Sequence, residues 1–254
     1  MEKLHKSQPL NQSRNAVQKA EALAQQKSHR AVRQMFDEIA PVYDLLNRTL
    51  SLGLDQYWRR TAVKLAYQML SPRQAFSALD VATGTGDFAQ LLQDLPACTA
   101  VVGIDLSAEM LRYAQRKVPT ARFEAAAVEA LPFESETFEL VTIGFGARNF
   151  ADLSRGLSEI YRVLKPNGVA VFLEPMLPRR ALLRRIYSAY FKHLLPRLAS
   201  LLSPSDYAYY YLPCSVEAFA SGEDFLLQLG KVRFRKALWR TLSFETAAIY
   251  LAQK

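Results

Sequence analysis

From residue 80 the chain reads Asp80-Val81-Ala82-Thr83-Gly84-Thr85-Gly86-Asp87, placing two glycines one residue apart just after an apolar run. Glycines so placed let the backbone turn sharply and come close to a ligand, an approach that any Cβ would block. The next apolar run ends at Asp105, 21 positions beyond Gly84. A carboxylate there can accept both hydrogen bonds of a ribose diol. Gly84, Thr85, Gly86 and Asp105 therefore describe a nucleoside site at the carboxyl ends of two strands. Read as Gly84-x-Gly86-x-x-Ala89, the spacing also fits the dinucleotide fingerprint, so spacing alone leaves NAD and S-adenosylmethionine both open. Asp80 favours the second, because a carboxylate ahead of the glycines attracts that cofactor's ammonium, directly or through water. NAD has no cation there.

Other chemistries are poorly supplied. The three histidines are His5, His29 and His193, so none lies between 31 and 192. That argues against a Ser-His-Asp triad or a His-rich metal site, and no metal is expected. Cys98 and Cys214 cannot build a disulfide framework, which makes a reducing compartment the default. No apolar run approaches the ~18 residues of a membrane span, and the N-terminus lacks the apolar stretch of a signal peptide. A cytoplasmic protein is expected. The net charge of +8 invites an anionic partner, either nucleic acid or a membrane surface.

The elements that must hold these residues follow from periodicity. Residues 1–30, rich in Gln, Lys and Arg, read as a polar extension, a frayed helix or disordered arm, ahead of one domain spanning 31–254. Val32, Met35, Phe36, Ile39 and Val42 recur at helical spacing, and a second helix begins near Asp55 with Trp58, Ala62, Leu65 and Ala66 on one face. Trp58 and Phe36 are expected in the core. Strands are expected at 76–82, 100–104, 121–125, 140–143 and 169–173, with helices starting near Asp87, Ser107 and Asp152. Ser107 is a good N-cap, with Glu109 in the first turn. This alternation implies an α/β fold, a parallel sheet with helices on both faces. After Glu174 the order breaks. Residues 178–212 read as a helical insertion, and 232–252 as two closing strands.

Asp80-x-Ala82-x-Gly84-x-Gly86 resembles the first motif of class I methyltransferases, with Ala82 in place of its first glycine. The likeness extends to Tyr43-Asp44-Leu45-Leu46-Asn47, Ser51 and Trp58, then Glu129-Ala130-Leu131-Pro132-Phe133, Phe145-Gly146-Ala147-Arg148-Asn149 and Arg162-Val163-Leu164-Lys165-Pro166-Asn167-Gly168. Together these resemble the quinone C-methyltransferases of menaquinone and ubiquinone biosynthesis, over residues 30–254, and are most similar to the demethylmenaquinone branch. The resemblance implies a Rossmann-like, mostly parallel sheet, S-adenosylmethionine as methyl donor, and an isoprenoid naphthoquinol, demethylmenaquinol, as acceptor. It aligns Ala127-Val128 with the adenine-contacting pair. The chain departs from the pattern at Asp55 (His in many relatives), Ala127, Gly144 (Ser in some), Pro175-Met176 (Phe-Ser) and Glu245 (Gly).

Methylation at a ring carbon needs that carbon in line with the methyl, at about 3–3.5 Å. Deprotonating a ring hydroxyl supplies the nucleophile, so a base or a held water is required nearby. Tyr43, Asp44, Arg148 and Asn149 are the candidates. Arg148 is suited to stabilising a phenolate and Asn149 to binding a ring oxygen. Lys165-Pro166-Asn167-Gly168 reads as a helix end and a turn.

Residues 175–205 contain no acid, and Arg179, Arg180, Arg184, Arg185, Lys192 and Arg197 stand among apolar residues. A basic amphipathic helix of this kind lies against anionic lipid, so peripheral contact at the inner face of the membrane is expected in preference to nucleic acid. A homo-oligomer is compatible with the sequence. Two other readings stay open, a ubiquinone-pathway benzoquinol methyltransferase and a weakened S-adenosylmethionine-binding scaffold.

Overall fold

The computed structural model describes residues 8–70, 74–190 and 208–254. Among these, seven strands form one sheet in the order β3-β2-β1-β4-β5-β7-β6. The strands are β1 (Phe76–Val81), β2 (Cys98–Asp105), β3 (Arg122–Ala125), β4 (Phe138–Gly144), β5 (Leu164–Pro175), β6 (Lys236–Leu242) and β7 (Ala247–Gln253). β1 to β5 pair in parallel, while β7 runs antiparallel between β5 and β6. Strand order reverses between β1 and β4, which opens a crevice at their carboxyl ends where ligands of such sheets bind.

The helices are α1 (Gln8–Gln25), α2 (His29–Ile39), α3 (Tyr43–Leu50), α4 (Leu54–Leu70), α5 (Asp87–Gln93), α6 (Ala108–Lys117), α7 (Leu153–Val163), α8 (Ala181–Ala189), α9 (Ala208–Ala218) and α10 (Glu223–Lys231). Strand residues alternate between two apolar layers, as period two demands. On β5, Ala170 and Phe172 join α7 and α10 through Leu157, Ile160, Phe225 and Leu229. Val169, Val171 and Leu173 face the other way, toward Trp58, Ala62, Phe88 and Leu92 of α4 and α5. Ser107 and Asp152 cap α6 and α7, accepting from the Met110 and Arg155 amides at 3.0 and 2.9 Å.

Three expectations are corrected. Residues 8–25 form a helix whose Ala16, Ala20, Leu23 and Ala24 are buried against α2 and α9, because its alanines and leucine recur at three- and four-residue spacing beneath the polar majority. Lys165-Pro166-Asn167-Gly168 is a bulge inside β5: its register against β4 jumps there, with Asn167 at φ 64°. The helix at 32–42 is broken at Pro41, and the additional helix α3 starts at Tyr43. Of the insertion at 178–212, α8 and the start of α9 are described; Lys192, Pro196 and Arg197 lie outside the described residues.

Candidate active site

The turn after β1 is built as its glycines require. Gly84 and Gly86 have φ 56° and 87°, and Ala82 also takes a left-handed φ of 52°. L-residues reach that region at a cost of about 1–2 kcal/mol. Asp105 fastens the turn: its Oδ2 accepts from the Gly84 amide and its Oδ1 from the Ser107 amide, both at 2.9 Å. Burial raises its pKa above the ordinary carboxylate value, and those amide donors oppose the rise. Each oxygen keeps a lone pair for a further donor.

Over this turn lies a cleft with about 650 Å³ of free space, its open mouth included. Tyr43, Gly84, Asp105, Val128 and Asn149 line it, together with an apolar slot of Ile104, Met110 and Phe150. A carboxylate beside the glycine turn and an apolar slot for a base suit a nucleoside. The cavity also takes His29, Arg33 and Phe36 from α2, none of which the sequence pattern placed in the site. Phe36, expected in the core, is a cavity wall instead, because α2 crosses the mouth of the crevice. His29 Nε2 and Glu129 Oε2 are 3.0 Å apart, and Glu129 Oε1 accepts from the Ala151 and Asp152 amides.

Other expected residues sit behind this cavity. Asp80 is buried, taking the hydroxyls of Thr83 and Thr142 at 2.6 and 2.7 Å. Desolvation raises its pKa to about 6 against those two hydrogen bonds. Thr85 donates to Asp44 Oδ1 at 2.5 Å, and Lys117 bridges Asp44 and Asp87 at 2.7 and 2.6 Å. Asp44 thus ties α3 to the glycine turn. Burial would raise Asp87, but Arg59 and Lys117 outweigh it and hold the carboxyl below its ordinary value. Gly86 packs on Ala114, where a Cβ would come within 3.2 Å. Ala127 ends in the cap of a short turn at Val128–Ala130, with Ala126 and Val128 on the cavity instead.

The loop after β4 carries the remaining candidates. A Cβ on Gly146 would meet that of Ala82 at 2.6 Å, so this glycine lets the loop rest on the cofactor turn. A side chain at Gly144 would run into Phe88, within 2.3 Å. Arg148 is buried against Glu174, Nη1 to Oε2 at 2.9 Å, and also donates to the Phe145 carbonyl. Burial raises the Glu174 carboxyl and Arg148 opposes the rise. Asn149 is engaged: its Oδ1 accepts from Tyr211 at 2.9 Å and its Nδ2 donates to the Phe145 carbonyl. Lys27 is near enough to feel both Arg148 and Glu174, and burial lowers its ammonium pKa.

A second cavity, of about 520 Å³, shares Phe36 and Tyr43 with the first and is lined by Arg148, Leu46, Asn47 and Tyr211. Burial raises the Tyr43 phenol, while Arg59, Asn47 and Arg148 pull the other way. Tyr211 is pushed up to about 12 by burial. Tyr211 was beyond reach of local pattern, whereas Asn47 stands one helical turn after Tyr43 on the same face. No group of three His, Cys, Asp or Glu capable of holding a metal occurs among the described residues.

A parallel sheet with an antiparallel β7, a glycine turn after β1 and an acid closing β2 define a class I, S-adenosylmethionine-dependent methyltransferase. Solved structures of low identity share this fold. The [4+2]-cyclase SpnF superposes at TM-score 0.62 with 16% identity, over 89% of this chain and 97% of that one. A SAM-dependent methyltransferase from Aquifex aeolicus does so at 0.52 and 17%, over 75% and 88%. The model of the ubiE/COQ5 methyltransferase family matches residues 23–254, and the chain belongs to that family. Among its relatives, the demethylmenaquinone methyltransferase of Chlorobaculum tepidum is 46% identical over 92% of this chain and 97% of its own. The ubiquinone/menaquinone biosynthesis C-methyltransferase UbiE of Geobacter sulfurreducens is 46% identical over 88% of each.

Proposed function

We propose that the protein methylates a ring carbon of demethylmenaquinol, yielding menaquinol and S-adenosylhomocysteine. The observation that carries this reading is the pair of cavities that meet at Phe36 and Tyr43, one built around Asp105 and the glycine turn, the other apolar and holding Arg148. When bound, the cofactor supplies an electrophilic sulfonium methyl. Asp105 holds the ribose diol, Ile104, Met110, Val128 and Phe150 enclose the adenine, and Asp80 contributes negative charge behind the amino acid end. The acceptor ring lies against Tyr43. Loss of a hydroxyl proton to water moves electron density onto the neighbouring carbon, and the Arg148 guanidinium stabilises the resulting phenolate. That carbon would take the methyl as the S–CH3 bond breaks, and its displaced ring hydrogen would return to the oxygen as a proton, restoring the aromatic quinol with one net proton released to water. Phe36 and Tyr43 orient the ring toward the methyl.

The acceptor carries an isoprenoid tail, and α8 is suited to meet it at a lipid surface. Leu182 and Ile186 are 71% and 60% exposed beside exposed Arg184 and Arg185. Leu45 and Leu52, at 52% and 84%, are exposed on and just after α3, against whose Leu46 pack Tyr187 of α8 and its C-cap Tyr190. Arg179 serves the fold instead, pairing with Glu223 and covering Trp239. No helix among the described residues is long and apolar enough to cross a membrane. We infer peripheral binding at the inner leaflet.

The test is methyl transfer from labelled S-adenosylmethionine to demethylmenaquinol presented in anionic vesicles. Turnover is expected. Cofactor binding without turnover would replace the reading with a scaffold, and preference for a polyprenyl benzoquinol would move the protein to the ubiquinone branch. In flotation with the same vesicles, Arg184→Glu/Arg185→Glu should weaken binding by about 30-fold or more at low salt, at ~1 kcal/mol per basic residue removed with added repulsion from the glutamates.

A further inference from the structure

Two buried side-chain donors in the described residues make no hydrogen bond of good geometry, Asn47 Nδ2 and Arg148 Nε, although the Asn47 amide lies close enough to the Tyr43 phenol to draw its pKa down. Both residues line the second cavity, one from α3 and the other from the turn after β4. An unpaired buried donor destabilises the free protein, and native chains hold few of them. Finding both on one cavity marks a place where the missing partner is a ligand. That partner must be an oxygen that accepts, since both groups only donate. Phe36, Tyr43 and Tyr211 give the cavity aromatic walls, with Phe36 and Tyr43 edge to face at 6.1 Å, and Leu46, Leu50 and Leu212 add aliphatic lining. Such walls take a flat ring with a hydrocarbon substituent.

We propose that this cavity is the acceptor chamber and that Asn47 Nδ2 and Arg148 Nε donate to the same ring oxygen of the bound quinol, so that Asn47 is a substrate-binding residue. The inference rests on the acceptor being a quinol, as proposed above. It also gives Asn47 the role that residue type and spacing assigned to Asn149, whose amide is already committed to Tyr211 and Phe145.

The experiment compares the full-length wild type with Asn47→Asp, which keeps the shape and removes the donor, and Asn47→Leu, which removes both polar atoms. Acceptors are demethylmenaquinol and a tail-less naphthoquinol; S-adenosylmethionine affinity is measured by calorimetry and Tm by scanning calorimetry. Both variants should lose about 10- to 100-fold in kcat/KM with either acceptor, the range expected for a lost hydrogen bond to a charged oxygen. Cofactor affinity should stay within about twofold, and Asn47→Leu should melt at or above the wild-type temperature, because it removes an unpaired buried donor. A merely structural asparagine would lower Tm instead. Wild-type kcat/KM in the Asp variant, a loss confined to the tailed acceptor, or a parallel loss of cofactor affinity would each overturn the proposal. If the wild type turns over no quinol, the functional reading falls, and the chamber is then judged by binding alone: equal affinity of wild type and Asn47→Asp for the tail-less quinol refutes it.

Discussion

The two cavities share a wall at Phe36 and Tyr43 but treat polar groups in opposite ways. Around the first, polar atoms are paired within the chain: Asp105 by two backbone amides, Asp80 by two threonine hydroxyls, Thr85 by Asp44. In the second, two donors are left open. A site prepared for one invariant cofactor can fix its polar groups in advance, whereas a site for a mostly hydrocarbon acceptor concentrates recognition in a few donors and leaves them unpaired until the ligand arrives.

The largest test of this contrast is Asp105→Ala. Losing two hydrogen bonds from a charged group, at about 1.5–3 kcal/mol each, should weaken S-adenosylmethionine binding by roughly 100-fold or more, read by calorimetry, without changing naphthoquinol affinity. Arg148→Met should do the converse, lowering kcat by about 100-fold with cofactor affinity retained. It also strands Glu174, so stability should drop by about 3–5 kcal/mol, and Arg148→Met/Glu174→Gln should recover the Tm but not the turnover. A double variant that regained activity would show that Arg148 acts only through its pairing.

Asp80 probes the first cavity from behind. Its folded pKa of about 6 lies above its ordinary value, so burial favours the protonated carboxyl. The resulting stability is fully present below about pH 4 and is lost as pH rises through about 6. Asp80→Asn should flatten the Tm profile between those values and stabilise the protein at pH 7.5 by up to about 3 kcal/mol, from roughly two pKa units at 1.36 kcal/mol each. Weaker cofactor binding in that variant would show that the charge is kept for the ligand at the expense of the fold. The smallest effect is expected at Ala82→Gly, which relieves a left-handed alanine but loosens the unfolded chain, a net gain of about 0.5 kcal/mol. A tighter cofactor Kd would add that the alanine hinders the turn.

The same contrast governs how much was legible in the sequence. The cofactor turn is local: strand, glycines, helix and the following acid lie within 30 residues, 76–105, and each residue type has a backbone reason to be there. The Ser107 cap, the helix start near Asp152 and the closing pair β6–β7 were readable on the same grounds. The acceptor chamber is assembled from segments more than 150 residues apart, α2 and α3 against Tyr211 of α9, and periodicity carries no information about such pairings. Hence Phe36 read as core, His29 was counted without being placed at the cavity, and Asn47 was passed over as a donor. The buried face of α1 was obscured by its polar composition, since alanines at helical spacing add little to mean hydropathy.

Gly144 and Phe88 carry one more consequence. The Phe88 ring occupies the volume that a Cβ at 144 would need. A side chain at 144 therefore requires the Phe88 ring to move or to shrink, so the two positions, 56 residues apart in sequence, are sterically coupled and a substitution at one changes what the other tolerates.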